Sequence, residues 1–248
     1  MNQQTLIFDL DDTLIRSNKY FKRAENEFVK QLKEWFEQVP IEEIKEKHNE
    51  YHLNYLEKYG LHSSKYPETL EATYMHFCKK YKKELRINEI KLIHEMGQSL
   101  FKIKVEPLPH MYKVLKKLKA DHHQLFLYTG GDIENQCRKI TQLDLEPFFE
   151  EGIFIFENKN KMALQKVLNK ICAEKNSTWM IGNSLRTDIK QAIDLGINAI
   201  YIPSTIEWSY NILDTKIKPQ GTLAELPSLL ELPEFLRDHI YFNETIFI

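Results

Sequence analysis

The sequence predicts an α/β fold, a parallel sheet layered between helices and interrupted early by an all-helical insertion. Three observations carry this expectation. Beyond residue 120, short apolar runs alternate with helix-like stretches at close spacing, the pattern of a parallel sheet covered on both faces. A further apolar run, Thr5 to Phe8, stands apart at the start of the chain. Between the two lie about 85 residues with apolar side chains at helical spacing and no convincing strand.

The elements follow in order. Thr5 to Phe8 reads as a buried strand that ends abruptly in Asp9-Leu10-Asp11-Asp12. From about Asn18 to Phe101 the chain is rich in Lys, Glu, Leu and aromatics. Phe28, Leu32, Trp35 and Phe36 form one helical stripe, and Tyr51, Tyr55, Leu56 and Tyr59 form another. Pro40, Gly60, Pro67 and Arg86-Ile87-Asn88 divide this region into about four helices. After Val105-Glu106-Pro107-Leu108-Pro109 the alternation begins: a helix from Met111 to Leu118, a strand from Gln124 to Tyr128, the turn Thr129-Gly130-Gly131-Asp132, and a helix through Leu143. The strand Ile153 to Phe156, a helix from about Asn160 to Ala173 and the strand Thr178 to Ile181 come next. The turn Gly182-Asn183-Ser184 opens a helix through Leu195, and the strand Ala199 to Ile202 closes the series. In the tail, from about Asp214, Leu223 to Leu236 is expected to form one or two short helices around Pro227 and Pro233. The predicted domains are thus an α/β core, 1–16 and 104–248, and a helical bundle, 17–103.

Composition narrows the function. The 248 residues carry a net charge of −2, with 42% hydrophobic and 28% charged residues, so no bulk basic field draws nucleic acid or anionic lipid. The densest basic run, Lys79-Lys80-Tyr81-Lys82-Lys83, reads as a solvated helix face. Cys78, Cys137 and Cys172 are odd in number, far apart and without a Cys-x-x-Cys pair, which fits a reducing compartment. No basic leader and no membrane-spanning run is visible, and the expectation is a cytoplasmic protein with no evident need for a protein partner.

Chemistry concentrates at strand ends. Asp9 and Asp11 lie two apart where a strand finishes, so they tend to share one side, a costly crowding unless a cation, a shared proton or a catalytic task compensates. In parallel sheets ligands bind beyond the carboxyl ends of the strands. Asp9, Asp11, Thr129, Gly130, Asn183, Asp188 and the loop carrying Lys159 all fall at or just past those ends.

Four elements stand in order: Asp9-Leu10-Asp11-Asp12-Thr13-Leu14, Tyr128-Thr129-Gly130, Lys159, and Gly182-Asn183-Ser184-Leu185-Arg186-Thr187-Asp188. Together they resemble the haloacid dehalogenase-like hydrolase superfamily, in its phosphatase branch, over nearly the whole chain. The resemblance implies a three-layer Rossmann-like core with a helical cap. It implies that Asp9 attacks phosphorus and forms an aspartyl-phosphate, and that Asp11 protonates the leaving oxygen and then deprotonates water. It implies phosphate binding by Thr129, Gly130 and Thr13, and that Lys159 bridges nucleophile and phosphate. It also implies a Mg²⁺ ion held by Asp9, the Asp11 carbonyl, Asn183 and Asp188, acting on a small phosphorylated metabolite. The chain departs from the commonest pattern at Asn183, whose amide oxygen brings no charge. Lys161 lies two residues after Lys159, and counting back from Leu164, Val167 and Leu168 makes Lys159 the better fit.

Asp11 argues against dehalogenation, which needs neither an acid at that position nor a metal, and Asn183 is the one feature favouring a non-enzymatic binding module. No lysine in the helical region can be singled out for Schiff-base chemistry. His48 and His52 share a helix face but lack the metalloprotease pattern, and read as a surface pair. Tyr20, Phe21, Phe28, Trp35 and Phe36 read mostly as bundle core, with one or two available to a pocket. Trp208 could pack near the site or anchor the tail.

Overall fold

The computed structural model describes residues 3–213 and 221–245. The chain enters through β1 (Thr5–Phe8), whose side chains from Leu6 onward are fully buried. A two-residue strand, β2 (Ile15–Arg16), follows, then four helices: α1 (Asn18–Trp35), α2 (Ile41–Tyr59), α3 (Lys65–Tyr81) and α4 (Ile87–Ser99). The chain returns through β3 (Glu106–Pro107), which pairs antiparallel with β2. This ribbon marks where the helical region leaves the sheet and rejoins it.

The remainder alternates. In order come α5 (Met111–Ala120), β4 (Gln124–Gly130), α6 (Ile133–Gln142), β5 (Ile153–Phe156), α7 (Lys161–Lys170) and β6 (Thr178–Gly182). A π-helical turn, Leu185–Ile189, leads into α8 (Lys190–Leu195), β7 (Asn198–Tyr201), β8 (Leu223–Glu225) and α9 (Leu232–Thr245). Side-chain caps fix two of the helix starts: Asp132 accepts the Asn135 N–H at 2.9 Å, and Asn160 accepts the Ala163 N–H at 3.0 Å.

The six-stranded sheet has the order β5-β4-β1-β6-β7-β8, with every pairing parallel. Alternate residues serve opposite faces, which is why these strands read as continuous apolar runs. Leu6, Phe8, Leu125, Leu127, Trp179 and Ile181 pack with α5 and α9 on one face. Ile7, Phe126, Tyr128 and Met180 pack with α7 and α8 on the other. The helical region has a core of its own, including Phe28, Leu32, Phe36, Leu70, Tyr74 and Phe77. Tyr51, Tyr55, Leu56 and Tyr59 are only half-buried, because part of that face of α2 borders a cavity instead of the bundle.

The tail differs from expectation. Leu223 to Glu225 is a strand, not a helix, and hydrogen-bonds to the open edge of β7 with Ala199 opposite Leu223. Leu-Ala-Glu has no strand signature of its own; the unpaired edge of β7 supplies it. The helix around Pro233 exists and runs to Thr245, with Pro233 in its first turn where no N–H partner is lost. Residues 214–220, the start of that tail, lie outside the described residues. No helix among the described residues is long and apolar enough to cross a membrane.

The topology also locates the site. From β1 the sheet grows through β4 to β5 on one side, and through β6, β7 and β8 on the other. The order reverses at β1, and a crevice opens where its carboxyl end meets those of β4 and β6. Asp9 is the next residue.

Candidate active site

Asp9 continues β1, its N–H donating to the Ile181 carbonyl of β6 at 2.9 Å. Its side chain is held at both oxygens. Thr13 Oγ1 lies 2.9 Å from Asp9 Oδ2, and the Lys159 ammonium is bonded to Asp9 Oδ1. Lys159 Nζ is also 2.5 Å from Asp188 Oδ1, while the Ser184 N–H donates to Asp188 Oδ2 at 3.0 Å. These distant residues therefore form one buried cluster: Asp9 is 5%, Lys159 7% and Asp188 0% exposed. Tyr128 floors it, with Lys159 Nζ 4.9 Å from the ring centre.

Lys159 rather than Lys161 is the lysine of the cluster. Lys159 precedes α7 and turns inward, whereas Lys161, in the first turn of that helix, is exposed. The neighbouring backbone is shaped by close approach. A Cβ on Gly182 would stand 2.2 Å from Asp188 Oδ2, so β6 must end in glycine for Asp188 to fold back beneath it. A Cβ on Gly130 would stand 2.6 Å from Leu61 Cδ1, in the loop between α2 and α3.

The electrostatics follow from this crowding. Burial raises the Asp9 carboxyl, Lys159 opposes that, and the neighbouring Asp188 adds to it, leaving Asp9 up at about 7. Burial disfavours the Lys159 ammonium, but Asp188 and Asp9 together hold it above the ordinary lysine range, so it stays charged.

Asp11 lies apart from the cluster. Lys139 Nζ on α6 is 2.8 and 2.9 Å from its two oxygens, and Gln136 Nε2 donates to it at 3.1 Å. Burial works to raise the Asp11 carboxyl, yet Lys139 and these hydrogen bonds hold it below the usual carboxylate range. Asp12, with φ of 60°, turns back to accept the Ser17 and Asn18 N–H groups and so caps α1.

Thr13 and Thr129 are both fully buried. Thr13 touches Asp9 and, at 3.4 Å, Asn183 Oδ1, so its position is that of an orienting group for those two. The Thr129 hydroxyl has no protein partner, and Gly130 and Gly131 form the cavity wall beside it. Since one hydroxyl reaches both Asp9 Oδ2 and Asn183 Oδ1, these oxygens converge, with Asp188 beside them. Among the described residues no three His, Cys, Asp or Glu side chains gather as a metal centre. Here the third oxygen comes from the Asn183 amide. An all-oxygen donor set of two carboxylates, an amide and a backbone carbonyl fits a hard divalent cation.

A cavity of about 400 Å³ opens over Asp9 between the sheet and the helical region. Its lining includes His48 and His52, which are therefore not a surface pair: His48 is 3% exposed, and His52 stacks on Trp208 at 5.5 Å. Trp208 is thus placed near the site. The i, i+4 spacing of the histidines was readable, but the direction their face takes depends on how α2 packs. Lys139 and Gln136 were missed. Their i, i+3 spacing on the helix that follows Thr129-Gly130 was the available signal.

The chain as a whole is similar to known proteins. The haloacid dehalogenase-like hydrolase family matches residues 6–202, from β1 past β7. The chain belongs to that family. It is 25% identical over 236 residues to the glyceraldehyde 3-phosphate phosphatase of Methanocaldococcus jannaschii, covering 94% of this chain and 97% of that one. The enzyme of the same name from Pyrococcus furiosus is 24% identical over 237 residues, 93% of each chain. Among solved structures, a haloacid dehalogenase-like hydrolase from Xanthomonas campestris superposes with a TM-score of 0.75 at 23% identity, over 95% of this chain and 91% of that one. These structural likenesses show the fold.

Proposed function

We propose that the protein is a Mg²⁺-dependent phosphatase that hydrolyses a small phosphorylated metabolite through an aspartyl-phosphate on Asp9. One observation carries this reading: at the point where strand order reverses, Lys159 clamps Asp9 and Asp188 together beneath a cavity roofed by the helical region. A carboxylate oriented by Thr13 and flanked by a charged lysine is a placed nucleophile, and the lysine offsets charge on an incoming phosphoryl group. The phosphatase names of the relatives support the reaction class and make a triose phosphate the first substrate to try.

In the first half, an Asp9 oxygen bonds to phosphorus, the bond to the alcohol oxygen breaks, and Asp11 gives that oxygen its proton. In the second half, water attacks the phosphorus, Asp11 takes its proton, and Asp9 is freed with inorganic phosphate. The pairing with Lys139 describes Asp11 in its ionised, proton-accepting state. To donate, Asp11 has to part from Lys139. Gly130 N–H and the Thr129 hydroxyl are the groups available to phosphoryl oxygens. Asp9, Asn183, Asp188 and the Asp11 carbonyl would hold Mg²⁺, which when bound neutralises phosphoryl charge. The helical region, 17–103, serves as the cap that excludes water and selects the substrate.

The test is a panel of phosphate esters assayed with Mg²⁺ and with chelator. Turnover that needs Mg²⁺ and disappears in Asp9→Asn is expected. Chloride release from a 2-haloacid unaffected by chelator, or Asp9→Asn at the original rate, would overturn the reading.

A further inference from the structure

Buried polar groups on α3 mostly find partners within the helical region. Tyr74 Oη donates to Glu89 Oε2 at 2.6 Å, and the Thr69 and Thr73 hydroxyls donate to the Tyr66 and Thr69 carbonyls at 2.7 Å. Among the described residues of that region, buried side-chain atoms without a hydrogen-bond partner belong to Tyr20, His48 and Tyr66. Two of these, His48 and Tyr66, line the cavity that opens over Asp9. His48 is 3% and Tyr66 4% exposed, and their rings meet edge-on with centres 5.9 Å apart.

Their surroundings set what each can offer. Glu25 on α1 has one oxygen on Lys22, at 2.6 Å, and the other 3.8 Å from His48 Nδ1. His48 and Lys22 together hold the Glu25 carboxyl down at about 2. A carboxylate on that side favours the ring proton on Nδ1 and leaves Nε2 as an acceptor. Burial and the nearby Glu25 push the Tyr66 hydroxyl above the ordinary tyrosine range, so it stays an O–H donor. A donor and an acceptor are thus buried with no protein group to pair with, at a cost that apolar side chains would avoid. Phe at both positions would simply extend the ring cluster of Phe21, Phe28 and Phe101.

We infer that His48 and Tyr66 are specificity-determining residues, which bind hydroxyl groups of the substrate's alcohol away from its phosphate. A hydroxyl accepts the Tyr66 proton on its oxygen and gives its own to His48 Nε2, whereas a C–H group does neither. The inference rests on the phosphatase reading above and names the residues that recognise the leaving alcohol. Both stand on the helical region, on α2 and α3, while Asp9, Thr129 and Lys159 stand on the core. The two ends of the substrate are then held by different parts of the chain.

The experiment measures kcat/KM of the intact protein, with Mg²⁺, on glycerol 3-phosphate, ribose 5-phosphate and propyl phosphate. Each carries one phosphate and no other charged group, and only propyl phosphate lacks hydroxyls. The better hydroxylated ester is expected to lead propyl phosphate by about 10-fold or more. Tyr66→Phe and His48→Phe are each expected to cut that lead several-fold, mainly through KM. Tyr66→Phe removes a hydroxyl with no protein partner, so its Tm is expected to hold or rise. Tyr74→Phe, which loses the bond to Glu89, is the control, with a lower Tm and an unchanged lead expected. Hydroxylated esters no faster than propyl phosphate overturn the inference and leave the phosphatase reading intact. So does a full lead in folded Tyr66→Phe and His48→Phe proteins, or a lead lost equally in Tyr74→Phe. No Asp9-dependent turnover of p-nitrophenyl phosphate overturns reading and inference together.

Discussion

Lys139 Nζ sits between the two carboxylate oxygens of Asp11, 2.8 Å from one and 2.9 Å from the other. The pair spans from the end of the first motif to the helix after the second, and it decides the charge of the proposed proton carrier. Lys139→Met removes the counter-ion, so Asp11 is expected to hold its proton to higher pH. The depressed carboxyl rises toward its usual range, and the alkaline limb of the kcat/KM profile, where Asp11 has lost the proton it must donate, moves to higher pH. A profile that does not move would detach Lys139 from Asp11 chemistry.

Lys159 and Lys161 are expected to behave as opposites. Lys159→Met leaves Asp9 and Asp188 buried without the ammonium between them, and is expected to cost about 3 kcal/mol of stability and nearly all turnover. Lys161→Met, on an exposed position, is expected to stay within about 0.5 kcal/mol. Urea melts of both variants, read beside their rates, check this.

Gly182→Ala is expected to damage the site without replacing any charged residue. The new methyl would overlap Asp188 Oδ2 and Cγ, 2.2 and 2.5 Å from the ideal Cβ, and both belong to a side chain fixed by Lys159 and Ser184. A loss of about 1–3 kcal/mol is expected, with turnover falling alongside it. A stable, fully active Gly182→Ala protein would show that Asp188 has room to retreat.

His52 sets an acid limit on the helical region. Its folded pKa is depressed to about 3 by burial and by His48, below the unfolded value of 6.5. Below 6.5 the unfolded chain therefore binds a proton that the folded one does not, and stability is lost as pH falls from 6.5 toward 3. The slope from this one group is at most about 1.4 kcal/mol per pH unit. Thermal melts between pH 7 and 5 should fall less steeply in His52→Phe than in the unaltered protein.

Legibility in the sequence tracked how local each signal was. β1, β4 and β6 were visible because both their faces are buried, which writes an unbroken apolar run, and the half-buried edge strand β5 is apolar throughout as well. β8 was not, because three residues became a strand only by meeting the edge of β7. Asp9, Lys159 and Asp188 could be gathered from sequence because each follows a strand in one parallel sheet, and that geometry brings their ends together. Lys159 was preferred to Lys161 by counting back from Leu164, Val167 and Leu168, a local signal, and it is Lys159 that turns inward. For His48 and His52 the spacing put both on one face, and only the packing of α2 over the sheet decided that this face looks into the cavity.

The β2–β3 ribbon has a consequence for how the chain assembles. Thr5 of β1 lies beside Gln124 of β4, a pairing that closes a loop of 119 residues in an unfolded chain. Loop-closure entropy makes such a contact slow to form first. If α1 to α4 fold early on their own core, the Ile15–Pro107 and Arg16–Glu106 pairs bring the two distant ends together, and β1 then finds β4 across a short gap. The insertion would in that case be a splint for the sheet as well as its roof. Hydrogen exchange pulsed during refolding would register this as protection in α1 to α4 before β1 and β4.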